Sequence, residues 1–188
     1  LALCLPELGE AERRAIAREH FALLGRSFIE RGMLWYAAPD RVKARMQVEG
    51  DVHLAERSEG PVMWLVPHFV ALDIAGAATQ LYQTRQVGSI YQAQSNPVFD
   101  AAIRRGRLRF GHSEIFPRGD GAKPLIRAIR QGRAFFNLPD MDFGIKDAAF
   151  VPFFGNTAAT LLAPSRMSRA LDMVVQPVVA ELLPGSQG

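Results

Sequence analysis

The feature that most constrains this chain is a repeated alternation of two kinds of segment. Apolar runs recur at "PVMWLV" (residues 61–66), "QVGSIYQ" (86–92), "RAFFNLPD" (133–140), "AAFVPFF" (148–154) and "MVVQPVVAELL" (173–183), and each reads as a strand. Most of the segments between them read as helices: "LDIAGAATQLYQ" (72–83), "PVFDAAIRRGRLRFG" (97–111), "AKPLIRAIRQG" (122–132, closed by Gly132) and "LLAPSRMSRALD" (161–172, with Pro164 in its first turn). Strands and helices in this alternation predict an α/β fold, a sandwich around a mostly parallel central sheet flanked by helices. Ahead of it, residues 11–31 predict an N-terminal helical segment in which Ala17, Phe21, Leu24 and Phe28 make one apolar stripe. "ARMQVEG" (44–50) predicts one more strand, ending at Gly50. No repeat or linker divides the chain, so residues 1–188 are expected to form a single domain.

Composition narrows the class. With 48% hydrophobic and 22% charged residues the chain is globular rather than disordered. Its one cysteine, Cys4, excludes an internal disulfide and fits a reducing compartment. The longest apolar stretch, 61–78, is broken by Pro67, His68 and Asp73, so it is not a membrane span. The chain starts at Leu1 and stops soon after a strand-like run, and is read as a fragment of a longer protein. The net charge of +3 conceals an asymmetry: residues 104–133 hold nine basic residues against Glu114 and Asp120, a window of +7 that leaves −4 for the rest. Such a window suits an acidic partner, a phosphorylated ligand or an anionic membrane surface, or else two solvated helix faces.

Within "VPHFVALDIAGAA" (66–78) a histidine and an aspartate interrupt an apolar run. His68 follows a strand directly, where ligands bind in open α/β sheets. In one continuous helix, residues five apart lie ~140° round from each other. If His68 is instead in the turn and Asp73 in the helix's first turns, the carboxylate can fold back onto the imidazole. It would then fix the tautomer and leave the other ring nitrogen as a base. The bland alternative is a structural histidine. A second constellation, "FFNLPDMDFG" (135–144), sets Asp140 and Asp142 at a strand end, where they would ligate a divalent metal or cap a turn at Gly144. "GHSEI" (111–115) begins like a nucleophile elbow but ends in Ile115, which argues against Ser113 as a nucleophile. "GDGAKP" (119–124) lacks the spacing of a P-loop, and His20, His53 and His112 have no metal-ligand spacing. A candidate base without a protein nucleophile suits direct transfer to a substrate hydroxyl.

At these residues the chain resembles a known family. His68 and Asp73 in "HFVALD" are similar to the HX4D/E motif of the lysophospholipid acyltransferase superfamily. "NPVFDAAIRRGRLRFG", "LIRAIRQGRAFFNLPDMDFG" and "AFVPFFGNTAAT" stand in the order seen in bacterial lipid A biosynthesis (lauroyl/myristoyl) acyltransferases. The resemblance implies a glycerol-phosphate-acyltransferase-like sandwich, with His68 as general base, Asp73 as its orienter, and Arg107 and Asp140 as substrate-binding residues. It also implies an acyl carrier protein as donor, a phosphorylated glycolipid as acceptor and a place on the cytoplasmic face of the cell inner membrane. An N-terminal membrane anchor and further C-terminal sequence would complete the parent protein. No metal, other cofactor or nucleic acid is implied. Three departures stand out: "PDMD" where many members read "PDQD", "IYQAQ" where a basic residue commonly follows the tyrosine, and "FPRGDG" in place of the glycerolipid branch's "FPEGTR". Two other readings remain at this stage: a metal-dependent glycosyltransferase using Asp140 and Asp142, and a non-catalytic anionic-lipid-binding domain.

Overall fold

The computed structural model of the protein describes residues 1–141 and 144–183. Helix α1 (Glu10–Tyr36) leads into two short helices, α2 (Pro39–Lys43) and α3 (Leu54–Arg57). The alternating core follows with β1 (Val62–Leu65), α4 (Leu72–Leu81), β2 (Val87–Tyr91), α5 (Pro97–Leu108) and β3 (Ser113–Pro117). After a 3₁₀ turn (Arg118–Asp120) come α6 (Lys123–Arg130), β4 (Ala134–Asn137), β5 (Ala148–Phe153), β6 (Asn156–Leu161), α7 (Ala163–Ala170) and β7 (Val174–Pro177). Five strands form a wholly parallel sheet in the order β3-β2-β4-β1-β7, and β5 with β6 form a separate antiparallel hairpin. The chain therefore has the α/β architecture its sequence predicts, with the N-terminal helix ahead of it.

The central strands are apolar on both faces because both faces are covered. Val62, Trp64 and Val66 of the β1 segment join Val87, Ala134, Phe136 and Ala75 of α4 in one cluster. Met63 and Phe135 point the other way, into Phe116, Met173 and the α6 residues Leu125, Ala128 and Ile129. Burying each of the larger of these side chains contributes about 1.5–3 kcal/mol. Outside α4, Leu34 of α1 and Val42 of α2 pack on Ala77.

One close approach sets how α1 lies on α5. A Cβ on Gly106 would stand 2.4 Å from Trp35 Cδ2, so only glycine admits the indole there. Arg109 reinforces the contact, its guanidinium donating to the carbonyls of Leu34 and Ala37 at 2.5 Å each. At the start of α5, Asn96 Oδ1 accepts from the backbone N–H groups of Val98 and Phe99 at 3.0 and 3.1 Å, and Pro97 opens the helix.

Four local expectations change. Residues 44–50 are not a strand, because the sheet edge beside β1 belongs to β7, paired from Val62↔Val174 to Leu65↔Pro177. Two strands go unread in the sequence. β3 is an edge strand whose one buried side chain is Phe116, and β6 is "NTAATL", too small and polar to look like a strand. The hairpin turn between β5 and β6 places Phe154 (φ 48°) and Gly155 (φ 72°) in the left-handed region, as a two-residue turn of this kind requires. Finally, the stripe expected along α1 is not a core face: Phe21 and Phe28 are exposed, and Leu34 is the helix's buried residue.

Candidate active site

The site follows from the register of two neighbouring strands. Leu65 of β1 lies opposite Asn137 of β4, and the Val66 N–H donates to the Asn137 carbonyl at 2.9 Å. Each strand then meets a proline, Pro67 or Pro139, which has no N–H to continue the ladder. His68 and Asp140 therefore stand equally far beyond the last paired residues, side by side at the C-terminal edge of the sheet. His68 Nδ1 is 2.7 Å from Asp140 Oδ1, and the His68 backbone N–H donates to Asp140 Oδ2 at 2.8 Å. The two side chains are 37% and 40% exposed, open enough to be reached.

Burial by itself would raise the Asp140 carboxyl. The hydrogen bonds from the His68 ring and backbone outweigh it and hold the carboxyl below its ordinary value. An ionised Asp140 makes Nδ1 of a neutral His68 the protonated nitrogen and leaves a lone pair on Nε2.

The contact expected between His68 and Asp73 does not form. Asp73 sits in the first turn of α4, where the helix dipole favours a carboxylate. Its oxygens are taken by two arginines: Arg31 Nε donates to Oδ2 at 2.7 Å and Arg107 Nε to Oδ1 at 2.9 Å. His68 is held by Asp140 instead, through main chain and ring together.

Beside His68 opens a cavity of about 470 Å³ whose walls include Leu72, Ile103, Phe135, Phe136 and Met167, with Arg31, Arg107, Arg118 and Tyr91 among its polar groups. Most of the lining is apolar, which suits a hydrocarbon portion of a ligand. Tyr91 donates to Asp100 Oδ1 at 2.7 Å, and its phenol is pushed up to about 12 by burial and by that carboxylate. It is therefore a neutral hydrogen-bonding wall at any physiological pH. Arg31 and Tyr91 were not singled out from the sequence: Arg31 lies in a helix read for its apolar stripe, and Tyr91 looked like a strand residue.

Other sequence candidates fall elsewhere. The Ser113 hydroxyl lies 2.9 Å from Gln80 Oε1 and 3.2 Å from the Arg107 carbonyl, its one proton linking β3 to α4 and α5. His53 pairs with Glu56 on α3 at 2.6 Å. Among the described residues no group of three or more His, Cys, Asp or Glu is placed to hold a metal ion. Asp140 is engaged by His68, and Asp142 lies outside the described residues, so the metal-site reading of that pair gains no support. The +7 window is not one surface. Arg107, Arg109 and Arg133 make internal bonds, Arg118 stands in the 3₁₀ turn beside the cavity, and the remaining charges divide between α5 and α6, which pack on opposite faces of the sheet.

Fold and site together define an α/β protein with a hydrogen-bonded histidine–carboxylate pair at the C-terminal edge of a parallel sheet, beside an apolar cavity edged with arginines. The chain belongs to the bacterial lipid A biosynthesis acyltransferase family, whose pattern matches residues 1–185. It is 36% identical over 180 residues to the lipid A biosynthesis myristoyltransferase of Escherichia coli K12, covering 95% of this chain and 55% of that protein. The lauroyltransferase of the same organism is 30% identical over 191 residues, covering 100% of this chain and 61% of the relative. Its palmitoleoyltransferase is 30% identical over 184 residues, with coverages of 95% and 59%. The chain thus spans little more than half the length of these curated relatives.

Proposed function

We propose that the protein transfers a fatty acyl chain from an acyl carrier protein thioester to a hydroxyl of a lipid A precursor, with His68 as general base. The observation that carries this reading is the His68–Asp140 pair opening onto an apolar cavity in a chain of this family. His68 Nε2 takes the hydroxyl proton as the acceptor oxygen attacks the thioester carbonyl, and a C–O bond forms. The tetrahedral intermediate collapses by breaking the C–S bond, and the imidazolium returns the proton to the departing thiolate. Asp140, ionised, orients the ring and stabilises the imidazolium, the role the family resemblance gave to Asp73. General-base assistance of this kind is worth ~10²–10⁴-fold.

The other parts of the reading also have residues to carry them. Lys123, Arg127 and Arg130 are exposed on or beside the outer face of α6, where they suit an acidic carrier protein. Phe150, Phe153 and Phe154 are exposed on the β5–β6 hairpin, and Asn156 at its turn donates to the Leu3 carbonyl at 2.8 Å, bringing exposed Leu1 and Leu3 alongside. That apolar tip suits peripheral contact with the cytoplasmic face of the inner membrane. Among the described residues no helix is long and apolar enough to cross a membrane. The catalytic parts lie within residues 1–188 as one domain.

The test is mass spectrometry of lipid A from a host lacking its own late acyltransferase, complemented with the full-length gene or its His68→Ala variant. The reading expects one added acyl chain with the wild type and none with the variant. An unchanged lipid A with a well-expressed wild type would contradict it.

A further inference from the structure

Asn137 is a buried amide with too few partners. It is the last residue of β4, three before Asp140, and only 8% exposed. Its Nδ2 reaches Met63 Sδ at 3.8 Å, and among the described residues its Oδ1 accepts no hydrogen bond. A thioether is a weak acceptor, and a buried amide left unpaired destabilises a fold unless something completes it. Among the described residues no fully enclosed side-chain oxygen lacks a partner, so Oδ1 opens onto space, and Asn137 lines the 470 Å³ cavity beside His68. We propose that Asn137 is a substrate-binding residue that holds a secondary amide of the pantetheine arm carrying the donor's thioester. This rests on the acyl-transfer reading for the identity of the donor.

The fit is one of complementary groups. A carboxamide offers both an acceptor and N–H donors, and a secondary amide offers one of each, so the two can pair through two hydrogen bonds. A carboxylate or phosphate oxygen would be repelled by Oδ1, and a hydrocarbon would leave both polar atoms unpaired. The face of the sheet selects the donor over the acceptor. Strand alternation puts Asn137 on the same side as Phe135, which with Met63 packs against Leu125, Ala128 and Ile129 of α6. Exposed Lys123, Arg127 and Arg130, which suit an acidic carrier protein, stand on or beside that helix. An arm reaching from a carrier on α6 to the sheet edge therefore runs along Asn137's face. Length agrees as well. Three residues of chain span at most about 11 Å, so a group held at Asn137 lies close enough to the His68–Asp140 pair for either amide of a pantetheine arm to reach it while its thioester stands at the base.

Isothermal titration of the full-length protein with S-dodecyl-pantetheine, a thioether that cannot give up its chain, reads the contact without turnover. The control ligand is its analogue with an ester oxygen in place of each amide N–H. Wild type should bind the amide ligand about tenfold more tightly than the ester, and His68→Ala should discriminate as well as wild type does. Asn137→Leu should bind the two ligands alike. It should also unfold at no lower temperature than wild type without ligand, because it removes an unpaired amide and leaves no other polar group stranded. Should Asn137→Leu fail to fold, the preference of wild type for amide over ester decides alone. A wild type that binds neither ligand or prefers neither, or a preference that survives Asn137→Leu, overturns the proposal. So does a loss in Asn137→Leu confined to KM for the acceptor, which would give the contact to the other substrate. The titrations need no acyl transfer, so a failure of the Asn137 contact and a failure of His68 as base would be seen separately.

Discussion

His68 and Asp140, separated by 72 residues in the chain, are joined twice, ring to carboxylate at 2.7 Å and backbone to carboxylate at 2.8 Å. The second bond ties the turn after β1 to the turn after β4, so Asp140 fixes the path of the chain as well as the imidazole. A removal of its charge should be felt in catalysis before it is felt in folding, because both groups are partly open to solvent.

Acid should weaken this link in a defined direction. Asp140 has its folded-state carboxyl lowered, so its contribution to stability is fully present above the unfolded value, ~3.9, and is lost as pH falls through the folded value. Asp100 behaves alike, lowered chiefly by the Gln94 backbone N–H and then by the Tyr91 hydroxyl. Thermal unfolding of wild type and Asp100→Asn should show a gap at pH 7 that closes as pH falls below ~4. A gap that widens toward acid would reverse the sign argued here.

Tyr91 gives a spectroscopic check on the same wall of the cavity. Its phenol is pushed up to about 12, first by burial and then by Asp100. Absorbance titration at alkaline pH should show a tyrosine that ionises late, and Tyr91→Phe should remove that late step. A wild type with no late step, or a late step that survives Tyr91→Phe, would show that the ring is not enclosed as described.

The Trp35–Gly106 contact predicts a stability effect. Gly106→Ala places a methyl carbon 2.4 Å from the indole, and overpacking of this kind costs about 1–3 kcal/mol. Denaturant unfolding should report that loss, and a Trp35→Leu change made with it should recover part of it. Additive losses would mean the two residues do not press on each other.

How much of this was legible in the sequence depends on the range of the contact involved. The strands β1 and β4 were readable because each is buried on both faces and so is largely apolar. Asp140 and His68 were both visible as polar residues closing apolar strands. Their pairing was not, since it depends on β4 inserting beside β1 in the sheet, which no local spacing encodes. Local spacing instead pointed to Asp73, five residues from His68, whose oxygens are occupied by Arg31 and Arg107. Arg31 was hidden for the opposite reason. Its neighbours Phe21 and Phe28 suggested a core-facing stripe, whereas those rings are exposed and one of them carries the Arg31 guanidinium.

Phe154 shows where a local rule is broken. An aromatic residue at φ 48° costs about 1–2 kcal/mol relative to a residue suited to that region, and Phe154 is also exposed. Phe154→Asn should therefore raise Tm while weakening sedimentation of the protein with anionic phospholipid vesicles. Higher Tm with unchanged vesicle binding would leave the hairpin tip without a membrane role.

The central claim is that Asp140, and not Asp73, serves the base. Initial rates of acyl transfer from acyl carrier protein, measured on full-length wild type, Asp140→Asn and Asp73→Asn over a range of acceptor and donor concentrations, test it most directly. Asp140→Asn should lower kcat by about 10²–10⁴-fold with KM changed only a few-fold, because the ring loses its orienting charge. Asp73→Asn, which removes the carboxylate that Arg31 and Arg107 share, should cost far less in kcat. The opposite assignment, kcat near wild type in Asp140→Asn and collapsed in Asp73→Asn at saturating substrate, would contradict the account.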